Sequence, residues 1–155
     1  MRAVNDKDLM RAALAVAQQA SASGDVPVGA VIVNSSGEIV ATGHNERELN
    51  DDPTAHAEIV AIRKAAQALG EWRLENHTIV VTLEPCPMCA GAIAQSRIST
   101  LIFGAWDEKG GAVGSVWDVI RDPRALNKLE VRGGVLEEEC SAMLKEFIQG
   151  VRKKD

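Results

Sequence analysis

The chain has 155 residues, 46% of them hydrophobic, which is enough for a buried core, and its formal charge of −5 excludes a uniformly basic nucleic-acid surface. No apolar run approaches the ~20 residues of a membrane span, and Asp6 and Asp8 stand where a secretory signal needs basic and then apolar residues. Three cysteines argue against a disulfide framework and for a reducing compartment, so one cytoplasmic domain over residues 1–155 is expected.

In chain order, Leu9, Ala13, Val16, Ala17 and Ala20 recur at helical spacing and predict a helix over 6–23, stopped by Gly24. Two apolar runs, 28–33 and 38–42, flank Asn34-Ser35-Ser36-Gly37 and predict a hairpin. An alanine-rich helix is expected from Ala55 to about Leu69, closed by Gly70, followed by a strand at 78–82. A helix carrying Cys86 and Cys89 should run to about Ser96, with a strand at 100–104 after it. A strand at 129–132 and a helix at 137–152 complete the pattern. Such strand-helix-strand alternation requires parallel pairing with crossover helices, hence an α/β architecture with a mixed central sheet.

Two motifs carry the chemistry. His56-Ala57-Glu58 and Pro85-Cys86-Pro87-Met88-Cys89 supply one imidazole, one carboxylate and two thiols, the composition of a catalytic zinc site with three protein ligands and one open position. A divalent ion held by two thiolates and a neutral imidazole can acidify a water near neutral pH. Cys86 and Cys89 lie three apart at a helix start, where exposed amides favour the thiolate and Pro87 needs no amide partner. Glu58, only two residues from His56, fits a proton carrier better than a fourth ligand. The residues alone leave alternatives open: a dipole-stabilising carboxylate at Glu58, and buried thiols or a redox pair at the cysteines. Cys140 reads as an ordinary buried thiol.

A histidine, a glutamate two residues on, and then proline-cysteine-x-x-cysteine resembles the signature of zinc-dependent nucleobase deaminases. Over nearly its whole length the chain resembles the bacterial tRNA-specific adenosine deaminases of the cytidine deaminase-like superfamily. The resembling stretches are Asp25–Ala30, Asp52–Glu58, Thr82–Ala92 and Phe103–Asp107, narrowed by the loop 104–115 and by Gly134-Val135-Leu136. The resemblance implies a three-layer α/β/α fold, one zinc ion per subunit, a homodimer, and hydrolytic deamination of adenosine to inosine at the wobble position of a tRNA anticodon arm. It also implies zinc ligation by His56, Cys86 and Cys89, catalysis by Glu58, and substrate contacts from Val28, Asn45, Ala57, Glu84 and Asp107, with Val28 on the base, Asn45 holding the purine and Asp107 near the sugar. Ala57 and Glu84 would contribute backbone contacts. Trp106 departs from the basic residue expected in many relatives, exchanging a phosphate contact for a stacking surface. Arg121, Arg124, Lys128 and Arg132, with Arg152-Lys153-Lys154, could form a positive rim. Two other readings compete: a free-base or nucleoside deaminase of the same fold (guanine or cytosine type), and a non-catalytic zinc module in which Cys140 supplies a fourth ligand.

Overall fold

Five strands form one mixed sheet with helices on both faces. The computed structural model describes residues 5–154. In chain order the elements are α1 (Asp6–Ala17), prolonged by a tighter 3-10 turn (Gln18–Ser23), β1 (Gly29–Val33), β2 (Ile39–His44), α2 (Arg47–Asn50), α3 (Ala57–Leu69), β3 (Thr78–Leu83), α4 (Pro87–Gln95), β4 (Thr100–Ala105), β5 (Glu130–Arg132) and α5 (Glu137–Lys154). The sheet order is β2-β1-β3-β4-β5. Strand β1 is antiparallel to β2 and β3, whereas β3, β4 and β5 are parallel.

The three central strands, β1, β3 and β4, read as nearly unbroken apolar runs because each feeds two cores at once. Successive side chains point to opposite faces. Ala30, Ile32, Ile79, Val81, Leu101 and Phe103 meet Ala57, Ala61 and Ala65 of α3 and Ala90 and Ile93 of α4. Val31, Val33, Val80 and Ile102 turn the other way, onto Leu9, Met10, Ala13 and Val16 of α1 and Cys140 of α5. The result is the expected three layers.

Close approach of α3 to the sheet depends on Gly43. A Cβ there would lie 2.5 Å from the Ala57 carbonyl oxygen and 2.6 Å from the Ala61 amide nitrogen, both backbone atoms that cannot swing away. Gly43→Ala should therefore cost about 1–3 kcal/mol and displace the start of α3. A lowered thermal midpoint together with weakened zinc binding is the expected result, and wild-type values of both would refute the contact.

The antiparallel and parallel pairings bring the start of β1 and the ends of β2, β3 and β4 to one edge of the sheet. Gly29 pairs with His44, Ala30 with Val81, and Leu83 with Ala105. Residues just beyond those ends therefore converge. This edge also receives the N-termini of α3 and α4.

Helix α1 gives way to the 3-10 turn at Gln18 within the expected 6–23, β2 runs over Ile39–His44 and not 38–42, and two further differences bear on the site. Helix α3 begins at Ala57 and not Ala55, because the Ala55 carbonyl accepts the Glu46 amide at 2.9 Å and the His56 amide donates to Thr54 at 2.8 Å, which keeps 54–56 in a turn. Helix α2 is an addition. Its amides are satisfied from a distance: Glu48 donates to Asp25 Oδ1 at 2.8 Å and Leu49 to Asp25 Oδ2 at 3.3 Å, while the Ser23 hydroxyl donates to Oδ2 at 2.6 Å.

Candidate metal centre and substrate pocket

His56 and Cys86 occupy the N-cap positions of α3 and α4, where serine, threonine, asparagine or aspartate would ordinarily close the helix with a side-chain bond. Neither side chain does so. The cap that His56 withholds comes from Asn45, whose Oδ1 accepts the Ala57 amide at 3.0 Å. At α4, Pro87 in the first turn has no amide to satisfy. Both N-cap side chains are thereby free to face one another.

Cys86 Sγ lies 3.6 Å and Cys89 Sγ 3.4 Å from His56 Nδ1. The donor atoms of His56, Cys86 and Cys89 all fall within 4.8 Å of one another, which is close enough to hold one metal ion. One imidazole and two thiols with an open position suit zinc. A hydrogen bond from Cys89 holds Cys86 down to about 4, and the same bond together with burial pushes Cys89 up. The bond to Cys86 likewise raises His56 above its ordinary value.

Glu58 lies in the first turn of α3 and is only 4% exposed. Burial pushes its carboxyl up to about 7, against the opposing pull of its own amide and of His56. A carboxyl poised there can take and return a proton near neutral pH. Cys140 is elsewhere, buried against α1 and the sheet, and burial pushes its thiol up to about 11. Among the described residues it does not join the metal donors, which removes the four-ligand reading.

A cavity of about 160 Å³ opens beside these groups, lined by Val26, Val28, Asn45, Arg47, His56, Glu58, Leu83, Glu84, Cys86 and Asp107. Four of the five expected substrate-contacting residues, Val28, Asn45, Glu84 and Asp107, are in this lining. Ala57 is not: it is fully buried, and its amide is already donated to Asn45. Asn45 also donates through Nδ2 to the Val26 carbonyl at 2.9 Å, so its amide braces two walls of the cavity. Asp107 both lines the cavity and caps its own loop, accepting the Lys109 and Gly110 amides at 3.2 and 3.1 Å. Trp106 is not among the residues lining the cavity and makes a T-shaped pair with Phe103, 4.8 Å between centroids.

Glu84 does more than its backbone role required. Its carboxylate, 2% exposed, accepts the amides of Asp107 (3.0 Å), Val113 (2.9 Å) and Ser115 (3.1 Å) and the Ser115 hydroxyl. One side chain thus organises the loop between β4 and residue 116, and it sits two residues from Cys86. Burial works to raise its pKa, but the Ser115 hydroxyl and the three amides outweigh that and leave it below the ordinary glutamate value. A depressed folded pKa stabilises the chain above the unfolded value of about 4.3, and that stability is lost as pH falls through the folded value. Glu84→Gln should destabilise the protein by about 1–3 kcal/mol at neutral pH and flatten the acid limb of its stability curve. Thermal melts across the acid range check this; an unchanged acid limb would contradict it.

Of the first group of expected rim cations, the three arginines are ion-paired and the lysine is not. Arg121 pairs with Asp118 at 2.9 Å, Arg124 with Asp122 at 2.7 Å, and Arg132 with Asp6 at 2.6 Å, while Lys128 bonds the carbonyls of Asp122 and Pro123. The side chains of Lys153 and Lys154, the end of the second basic group, lie outside the described residues.

The zinc-binding region of cytidine and deoxycytidylate deaminases matches residues 3–105. A tRNA-specific adenosine deaminase of Bacillus subtilis (strain 168) is 48% identical, the match covering 96% of this chain and 92% of that protein. One from Haemophilus influenzae is also 48% identical, over 99% of this chain and 89% of its own length. A solved structure from work on A-to-I editing by tRNA:A34 deaminases superposes with a TM-score of 0.84 at 43% identity, covering 88% of this chain and 98% of that one. Zinc is accordingly the metal of this centre. The chain belongs to the zinc-dependent cytidine and deoxycytidylate deaminase family, in the branch whose members are tRNA-specific adenosine deaminases.

Proposed function

We propose that this chain is a single-domain enzyme that converts adenosine to inosine at the wobble position of a tRNA anticodon. The observation that carries the reading is the His56-Cys86-Cys89 donor set beside one small cavity that His56, Cys86 and the buried carboxyl of Glu58 line. Similarity along nearly the whole chain to tRNA-specific adenosine deaminases supplies the substrate class. Zinc held by His56, Cys86 and Cys89 supplies an acidified water at neutral pH.

In this reading Glu58 is the proton carrier: its carboxyl would take a proton from the attacking water, pass it to the purine ring nitrogen, and then serve the departing amine. The balance is adenosine plus water giving inosine plus ammonia. Val28 packs on the base, Asn45 contacts it with the donor and acceptor capacity left over from its two backbone bonds, and Asp107 lies toward the sugar. Glu84 acts by holding the Asp107 loop and by its backbone. A splayed-out nucleotide suits a cavity with room for one base, and so does a chain with few aromatics, since recognition then rests on a pocket and not on a stacked platform.

The protein works as a homodimer in the cytoplasm. Support for the first is the exposed apolar run Val116, Trp117 and Val119 in the loop beside the cavity; support for the second is a metal centre that needs reduced thiols. The test is turnover by the purified zinc-loaded protein on an anticodon stem-loop with a wobble adenosine, beside free adenosine, adenine, cytidine and guanine. Inosine confined to the stem-loop is expected. Turnover of a free base or nucleoside alone would move the enzyme to salvage chemistry.

A further inference from the structure

The cavity is lined by three carboxylates, Glu58, Glu84 and Asp107, and by one permanently charged cation, Arg47. A nucleotide whose base enters this cavity leaves its phosphates at the mouth, where Asp107, the one of the three that is not buried, repels them. Arg47 is exposed at that mouth. Among the described residues Arg11, Arg63, Arg73, Arg121, Arg124 and Arg132 each lie against an aspartate or glutamate and Arg97 bonds the Gln95 carbonyl, whereas no ion pair or side-chain hydrogen bond engages the guanidinium of Arg47 or Arg152, and of these two only Arg47 lines the cavity. Its chain neighbours Glu46, Glu48, Asp51 and Asp52 are acidic, so this segment can attract a phosphate only through Arg47.

The position of Arg47 is fixed from below. Helix α2 has four residues, too few to persist alone, and its amides are tied to Asp25, a side chain 3% exposed that is itself held by the Ser23 hydroxyl. Burial works to raise the Asp25 pKa, but the Glu48 amide, the Ser23 hydroxyl and the Leu49 amide together leave it below the ordinary value, so it stays an anion at neutral pH.

We infer that Arg47 binds the phosphodiester next to the nucleotide being deaminated, and that Asp25 is the positioning residue that holds α2, and with it Arg47, at the cavity mouth. The inference rests on an RNA substrate and assigns it a specific anchor. A guanidinium can engage phosphate oxygens with two parallel bonds, which a lysine cannot reproduce.

The experiment is steady-state kinetics of the zinc-loaded protein on the anticodon stem-loop over a range of salt, for the wild type, Arg47→Gln, Arg47→Lys, Asp25→Asn and the charge control Lys64→Gln, which removes an exposed cation on α3 outside the cavity lining. Arg47→Gln should raise KM about tenfold and reduce the slope of log(kcat/KM) against log[salt] by about 0.7, the value for one phosphate contact on a single strand. Arg47→Lys should restore the slope but only part of KM. Asp25→Asn adds a positive charge overall, so general attraction would lower KM; a positioning role raises it, and the double variant with Arg47→Gln is no worse than Arg47→Gln alone. Lys64→Gln should leave both quantities as in the wild type.

An unchanged KM and slope in Arg47→Gln overturns the inference. So does a lowered KM in Asp25→Asn, or an equal effect of Lys64→Gln. A wild type inactive on the stem-loop overturns instead the RNA reading on which it stands.

Discussion

Glu58→Gln is expected to remove deamination, by a factor of about 10²–10⁴ or more, while zinc stays bound. The amide matches the carboxyl in shape but cannot accept and return a proton. Glu58 is outside the donor group of His56, Cys86 and Cys89, so metal content should be that of the wild type. Stability should move the other way. Burial raises the folded carboxyl to about 7, above the unfolded value of about 4.3, so the folded chain without metal is penalised increasingly as pH rises from the lower value through the upper. Glutamine removes that penalty, and the metal-free variant should melt no lower than the wild type at neutral pH, a group kept for chemistry at a cost in stability. Single-turnover inosine formation, metal analysis and melting together check the prediction. A variant that retains activity would take Glu58 out of the mechanism.

Cys89→Ser should lose zinc and activity together. Cys89 is completely buried and its sulfur is 3.4 Å from His56 Nδ1, so the hydroxyl that replaces it puts a harder, less acidic donor where the ion needs a thiolate. Excess zinc should raise the melting temperature of the wild type, since a ligand at 100 times its Kd adds about 2.7 kcal/mol to the folded state. The same addition should leave Cys89→Ser unmoved. Cys86→Ser should behave alike, because Cys86 is the thiol held down to about 4 and the readier thiolate of the two. Full zinc retention in either variant would overturn the ligand assignment.

Much of this arrangement was legible in the residues. Glycine and proline punctuation marked the elements, and the spacing of His56, Glu58, Cys86 and Cys89 named a metal centre before any fold was known, because each motif opens a helix and helix starts gather at one sheet edge. What escaped was non-local. The segment Arg47–Asn50 has no periodicity to announce a helix, since its stabilising partner, Asp25, lies more than twenty residues upstream. Arg47 stayed invisible for the same reason. The Glu84 carboxylate looked like a bystander to its own backbone; its four loop contacts come from residues 23 to 31 positions away. A carboxylate at a strand end ahead of a glycine-rich loop was the available signal. Counting cations over 121–132 suggested a positive rim, but a count cannot reveal that Asp118, Asp122 and Asp6 already face them. The two-residue shift in the start of α3 has a similar origin, in the bond between Glu46 and Ala55.

The most direct test is to map inosine in a full-length tRNA with a wobble adenosine after incubation with the zinc-loaded protein, reading each adenosine by sequencing, where inosine appears as guanosine. The account predicts a single change, at the first anticodon position, absent with Glu58→Gln. Conversion spread over other adenosines, or none at all while a free base is consumed, would contradict it.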